Sequence, residues 1–223
     1  MCGRFTQHHE PDAVAERFEA AQTLFAPTPR YNVAPDQIVP VVLSRDGTRV
    51  LDGFKWGLVP GWAKDVAALP KMINARSETL AEKPSFRAAL ARRRCLIPAD
   101  GFYEWDKSVP GVKTPYHFRL RTGALFAFAG LWEEWIGGGS ATPLRTCAIV
   151  TTSANATVGR VHDRMPVMLA PGAEEVWLDG SVRDTDLLRS LLVPYPDDVM
   201  EAFAVSRRVN AATNEGADLI ARV

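Results

Sequence analysis

No run in this sequence approaches the roughly 20 consecutive apolar residues that a membrane-spanning helix requires. The opening MCGRFTQHHEPD also lacks the apolar stretch of a secretory signal. Cysteine is scarce: Cys2, Cys95 and Cys147 make an odd count with no C-x-x-C pair, which argues against a disulfide framework. Cys95 and Cys147 lie in strand-like apolar stretches and read as buried structural thiols. The four histidines, His8, His9, His117 and His162, show neither i, i+4 pairing nor a spacing to the cysteines that suits zinc, so neither metal nor cofactor is expected. Net charge is absent as well, 26 basic residues balancing 26 acidic ones. No global field then draws the protein to nucleic acid, and any such partner must be held by a local patch. These absences together predict a cytoplasmic protein that needs no membrane.

What is present is an ordinary globular composition: 223 residues, 47% hydrophobic, with 16 glycines and 16 prolines. That length supports one sizeable core, and a single domain over 1–223 is expected. Arginine greatly outnumbers lysine, which suits bidentate phosphate contact, although a GC-rich genome accounts for it equally well. PDAVAERFEAA places Val14, Phe18 and Ala21 on one helical face, with Pro11 in the first turn. RYNVAPDQ reads as irregular extended chain. IVPVVLS and TRVLDGFKWGLVP, separated by Arg45, Asp46 and Gly47, predict a β-hairpin. A second helix is expected from about Ser85 through FRAALARRR, ending before CLIPA. Strands are expected in CLIPADGFYEW, PYHFRLR, ALFAFAGLWEEWI, RTCAIVTT, RMPVMLA and MEAFAVS, with a loop at Gly137 to Gly139 and short helices in GAEEVWL and DTDLLRSLL. Many short strands without regular βα alternation predict an α+β fold with a mixed or barrel-like β core and short flanking helices.

Position 2 carries the most distinctive chemistry. Trimming of the initiator methionine before a small residue leaves Cys2 as a 1,2-aminothiol. Its α-amine titrates near ~7.7 to 8.0, so roughly a tenth is free base at neutral pH. Such an amine condenses with an aldehyde to an imine, and the neighbouring sulfur closes a thiazolidine ring. Alternatively the thiolate attacks an acyl carbon with the α-amine as its base. A cysteine of no functional consequence is the third possibility.

Other polar residues stand in strand-like surroundings. In MINARSET the two-residue period puts Asn74, Arg76 and Glu78 on one strand face, either as a polar site or as a solvated edge. In VHDRMPVML the same period aligns Arg164 with His162, a residue able to act as general acid or base or simply to be a satisfied histidine. Glu104 lies between Tyr103 and Trp105, where burial would raise its pKa and suit proton transfer, or where it is an edge residue with its carboxylate in water. Trp56 and Trp62 in KWGLVPGW offer faces on which unpaired bases stack, or else belong to the core.

MCGRF, RYNVAP, KWGLVPGWAK, INARSET, IPADGFYEW and VHDRMPVML, in this order between Cys2 and Leu169, resemble the SOS response-associated peptidase (SRAP) family. The remainder of the chain fits that family in length and less specifically in sequence. The resemblance implies a single α+β domain that recognises abasic sites in single-stranded DNA and shields them as a covalent DNA-protein crosslink. On that analogy Cys2 forms a thiazolidine with the ring-opened sugar, Asn74 holds the N-terminal residue, and Glu104 and His162 move protons. Arg4, Arg76 and Arg164 would grip phosphates, and Trp56, Trp62 and Trp105 would stack or wedge beside the lesion. The family name adds a peptidase activity, in the hydrolase or lyase class, whose motivating idea is self-removal of Met1. The partner implied is single-stranded DNA carrying abasic sites, met by a monomer that joins the nucleoid when bound. Two alternatives stay open: an N-terminal-nucleophile amidohydrolase, since glutamine amidotransferases also begin Met-Cys-Gly, and a non-covalent single-strand binding module.

Overall fold

Alternating apolar residues in IVPVVLSR and TRVLDGFKW fold back on each other as a hairpin whose last ladder pair is Arg45 with Thr48. The turn is therefore the two residues Asp46 and Gly47, shorter by Arg45 than the sequence suggests. Both have positive φ, 50° and 77°, matching the twist of the flanking strands. The computed structural model in which this hairpin sits describes residues 2–66, 69–137 and 142–223. Gly138 and Gly139 of the expected glycine loop lie outside the described residues.

Along the chain the strands are β1 Phe5–Gln7, β2 Gln22–Thr23, β3 Arg30–Val33, β4 Ile38–Arg45, β5 Thr48–Trp56, β6 Asn74–Arg76 and β7 Arg94–Ala99. They continue as β8 Gly101–Asp106, β9 Thr114–Leu120, β10 Phe126–Trp135, β11 Leu144–Ser153, β12 Arg164–Pro166, β13 Met168–Leu169 and β14 Met200–Ala204. The helices are α1 Pro11–Arg17, α2 Pro84–Arg92, α3 Ala156–Gly159, α4 Pro171–Leu178 and α5 Thr185–Ser190. None of the described helices is long and apolar enough to cross a membrane.

The expected α+β class with a barrel-like core is the one observed. Strands β5, β4, β7, β10 and β11 pair in that order, and β11 pairs back onto β5 through Thr146 with Lys55 and Cys147 with Trp56, closing the ring. A smaller sheet, ordered β14-β9-β8-β1-β3, packs against it. The two-residue period of the barrel strands divides the core in two. Val41, Leu43, Phe54, Ile97, Phe128 and Ile149 pack with Phe5, Phe102 and Phe118 of the small sheet. Their neighbours Val42, Leu51, Leu96, Ala127 and Val150 pack instead with Val14, Phe18, Phe86, Leu90 and Trp177 from the helical side. Each large apolar side chain so buried contributes roughly 1.5 to 3 kcal/mol before conformational entropy is counted.

Three local departures from the sequence reading have physical causes. CLIPADGFYEW is two strands in different sheets: β7 ends at Ala99, paired with Phe126, while β8 begins at Gly101, paired with Thr6. The corner between them is Asp100, whose buried carboxylate accepts hydrogen bonds from Thr6 Oγ1 (2.5 Å) and the His8 amide (2.6 Å). Helix α1 stops at Arg17 and the chain turns through Glu19 at φ 53°, so Val14 and Phe18 are buried while Ala21 is exposed. FTQ and RYNV, which carry too few alternating residues to announce strands, are β1 and β3.

Gly101 is required by close approach. A Cβ there would collide with the His117 ring and stand 2.9 Å from Thr6 Oγ1. Gly101→Ala should cost about 1 to 3 kcal/mol through overpacking, read as a lower urea midpoint at unchanged slope. Gly172→Ala in α4, where a Cβ meets open space, should leave the midpoint unchanged or slightly higher. Equal effects would refute this account of the corner.

Candidate active site

Cys2 reaches the interior because the chain just after it is a strand paired on both edges. Phe5 pairs with Val33 of β3 on one side and with Phe102 of β8 on the other, and the Tyr103 amide donates to the Arg4 carbonyl (3.0 Å). Cys2 has no exposed surface. Its carbonyl oxygen accepts a hydrogen bond from Asn74 Nδ2 at 2.8 Å. Asn74 is set by β6, which runs parallel to β11 with Asn74 opposite Ile149 and Ala75 buried beneath.

The thiol lies 3.8 Å from the Arg4 carbonyl, which accepts its weak S–H bond. Burial first, and the Glu104 carboxylate second, push its pKa far above the ordinary value. The group is thus a neutral thiol at physiological pH. Glu104 sits on β8 opposite Tyr116 and is 4% exposed. Burial pushes its carboxyl up to about 7, which leaves it able either to give or to take a proton at neutral pH.

His162 lies in the turn between α3 and β12. Its Nδ1 accepts the Arg164 amide at 3.0 Å, so the neutral ring carries its hydrogen on Nε2. Burial lowers its pKa and the ring is neutral near pH 7. Asp163 Oδ1, 2.9 Å from the same Nδ1, becomes a partner when the ring is protonated. Gly3, Arg4, Glu104, Trp105, Lys107, Lys113, His162 and Asn210 line a cavity of about 490 Å³. A second cavity of about 380 Å³ shares Lys107, Lys113 and Asn210 with it and adds Arg207. The two form a groove with cations along it and Glu104 and His162 at one end. A separate cavity of about 460 Å³ beyond Asp106, lined by Arg121, Arg160, Glu201 and Arg222 among others, holds none of these acid-base groups.

The structure thus brings together Cys2, Asn74, Glu104, His162, Arg4 and Trp105. It separates others. Trp56 is fully buried, its Nε1 donating to the Ile73 carbonyl (2.9 Å) and its ring set edge-on to Phe5, so no base can stack on it. Trp62 is 59% exposed but does not line the groove. Glu78 leaves the expected strand face because β6 ends at Arg76 and residues 77–79 form a 3-10 turn. It instead takes both Nη atoms of Arg164, at 2.5 and 3.0 Å, and Arg164 also donates to the Thr151 carbonyl. A guanidinium so occupied is a structural clasp and not an open phosphate grip. Arg76 is exposed at the end of β6. Arg4 turns inward, Nη1 donating to Asn32 Oδ1 (2.6 Å) and the Val209 carbonyl (2.7 Å), with its guanidinium 5.9 Å over Trp105.

Lys107, Lys113, Arg207 and Asn210 escaped the sequence reading. The two lysines flank the SVPGV tip between β8 and β9, a turn signal between strands that could have marked them as a paired basic tip. Arg207 and Asn210 belong to a 3-10 turn, residues 207–210, with no such signal. Nor does spacing in the chain reveal His8, His9 and Asp100, whose ligand-type atoms lie within 4.8 Å of one another.

The profile of the family described as SOS response associated peptidase (SRAP) matches residues 1–212. A Bacillus subtilis protein named abasic site processing protein YoqW is 47% identical over 224 residues, covering 99% of each chain. Abasic site processing protein YedK of Escherichia coli is 32% identical over 229 residues, again covering 99% of each. Among solved structures, a protein from Bacteroides thetaiotaomicron superposes with a TM-score of 0.89 at 26% identity over the full length of both chains. With its profile matched over most of its length, the chain belongs to the SOS response associated peptidase (SRAP) family.

Proposed function

We propose that the protein acts on abasic sites in single-stranded DNA, forming a thiazolidine crosslink through Cys2 once Met1 is removed, and so shields the lesion during the DNA damage response. The observation that carries this reading is the Cys2 carbonyl held by Asn74 at 2.8 Å beside a buried Glu104 whose carboxyl titrates at about 7. The names of the relatives support the choice of lesion. An abasic site in its ring-opened form offers an aldehyde, the functional group that a 1,2-aminothiol captures.

The geometry suggests an order of events. Because the thiol is kept neutral, the α-amine is the first nucleophile and attacks the aldehyde carbon. The carbinolamine loses its hydroxyl as water, with Glu104 supplying the proton, and an iminium forms. The sulfur then adds to the same carbon while the S–H proton passes to Glu104, restoring its acid form. One water leaves in total, and no oxidant or reductant is needed. His162, neutral near pH 7, serves the sugar oxygen during ring opening. The neutral thiol counts against thiolate attack on an acyl carbon, which is what an amidohydrolase requires. Removal of Met1 needs no activity of this chain, because ordinary trimming before a small residue exposes Cys2.

Binding is assigned to the groove. Trp105 stacks beside the lesion, held by Asn210 Oδ1 (2.7 Å from Nε1) and by Arg4. Lys107, Lys113 and Arg207 contact phosphates, with the exposed Arg76 and Trp62 as more distant contacts.

The direct test incubates the Met1-processed protein with a single-stranded oligonucleotide carrying one abasic site, followed by a denaturing gel and intact mass. The expected product survives denaturation at the summed mass less one water, and is lost with Cys2→Ala or with undamaged DNA. Release of intact oligonucleotide from processed protein would reject the proposal and turn attention to amide substrates. The crosslinking rate should inflect near pH 7, the value assigned to Glu104. Glu104→Gln should slow the reaction by about 10²- to 10⁴-fold and abolish that inflection, while DNA affinity changes little. Parallel losses of rate and affinity would remove Glu104 from proton transfer. In a Cys2→Ala background, which reports binding alone, Lys107→Ala with Lys113→Ala should weaken affinity and lower the log-log salt slope by about 1.4, near 0.7 per phosphate contact on a single strand. An unchanged slope would place the phosphates elsewhere.

A further inference from the structure

Outside the Cys2 groove, the segment that follows β1 carries a second cluster whose chemistry the proposed function does not use. His8 and His9 are neighbours, and a bend at His9 brings both rings to the same side, with centroids 5.2 Å apart. Both present Nδ1 to one carboxylate: His8 Nδ1 lies 2.9 Å from Asp100 Oδ1, and His9 Nδ1 lies 3.1 Å from Asp100 Oδ2. Donors bound at about 2.0 to 2.2 Å around a tetrahedral cation stand roughly 3.3 Å apart; the two nitrogen–oxygen separations lie near that spacing, and all the ligand-type atoms lie within 4.8 Å of one another. His8 Nδ1 is buried and 2.9 Å from Oδ1.

We propose that His8, His9 and Asp100 form a binding site for a divalent transition cation of the zinc type. Two imidazoles and a carboxylate favour zinc, cobalt, nickel or copper over magnesium or calcium, which prefer all-oxygen shells. The supporting contacts are those that metal sites use to orient their ligands. Asp100 is held by the Thr6 hydroxyl at 2.5 Å and the His8 amide at 2.6 Å. The His8 ring lies flat against Tyr31, with centroids 5.0 Å apart and planes 12° apart. Thr6 Oγ1 is in turn 3.3 Å from Nε2 of the buried His117. Both ligand rings are about 30% exposed on their outer sides, so the remaining coordination positions open to water. Bound there, the cation ties the residues after β1 to the β7–β8 corner and stiffens the strand from which Cys2 is hung.

Cobalt(II) is the probe. EDTA-stripped protein, desalted and titrated with Co²⁺, should take up one equivalent with visible d–d bands and no intense thiolate-to-cobalt band, and Zn²⁺ should displace it. His9→Ala tests the site with little risk to folding, since the ring is partly exposed and touches the fold through Asp100 and His8. It should weaken uptake at least about tenfold, because loss of even a supporting hydrogen bond costs a metal site roughly 10- to 100-fold. A strong thiolate band, uptake unchanged in His9→Ala, or no cobalt retained by the native protein would each overturn the proposal.

Discussion

The insertion of residues 5–7 between β3 and β8 is the constraint on which the rest of this structure depends. A central strand has both backbone edges paired, so it cannot slide or fray without orphaning buried amides and carbonyls. The burial of Thr6 and Gln7 makes the insertion more specific still, because each polar side chain must find a partner. Thr6 binds Asp100, and Gln7 Nε2 binds the His9 carbonyl at 3.0 Å. Once these contacts are made, Cys2 has little freedom. Asn74, delivered by an unrelated part of the chain through the parallel pairing of β6 with β11, then fixes the carbonyl of the same residue. Residues next to a chain terminus are ordinarily among the most mobile in a protein. Cys2 is instead buried and held through its carbonyl.

Burial also decides the electrostatics. The same exclusion of water that keeps the Cys2 thiol neutral brings the Glu104 carboxyl to about 7. Around them a protein without net charge concentrates Arg4, Lys107, Lys113 and Arg207 along one groove. Acidic groups elsewhere balance the total, several of them in ion pairs, as Glu78 is with Arg164 and Glu174 with Arg17. A polyanion therefore meets a local patch that the overall charge conceals.

Several parts of this arrangement were readable from the chain. The alternation of IVPVVLS and TRVLDGFKW, with Asp-Gly between them, encodes a hairpin through side-chain period and turn chemistry, both of which are local. The helix at 84–92 and the apolar strands of the barrel follow from the same local rules. The upward shift at Glu104 was one of two readings that the aromatic and apolar run GFYEW left open, burial being the one the structure took. Other assignments were not local. FTQ is too short and too polar to announce a strand, and becomes one because β3 and β8 arrive on either side. Trp56 and Trp105 look alike in sequence, yet one is core and the other lines the groove, since a two-residue period says which residues share a face and not what covers that face.

What the sequence by itself determined is the inventory of chemistry: a cysteine at position 2, the acid and the histidine able to move protons, the motif order that marks the family, and the propensity for many short strands. What only the tertiary structure decided is which of these groups meet. The pairing of Arg164 with Glu78, the basic tip of the β8–β9 turn beside the site, and the convergence of His8, His9 and Asp100 all join residues distant in the chain or turned together by a bend. Such contacts are set by sheet register and the packing of one layer on another, which no local pattern of residues encodes.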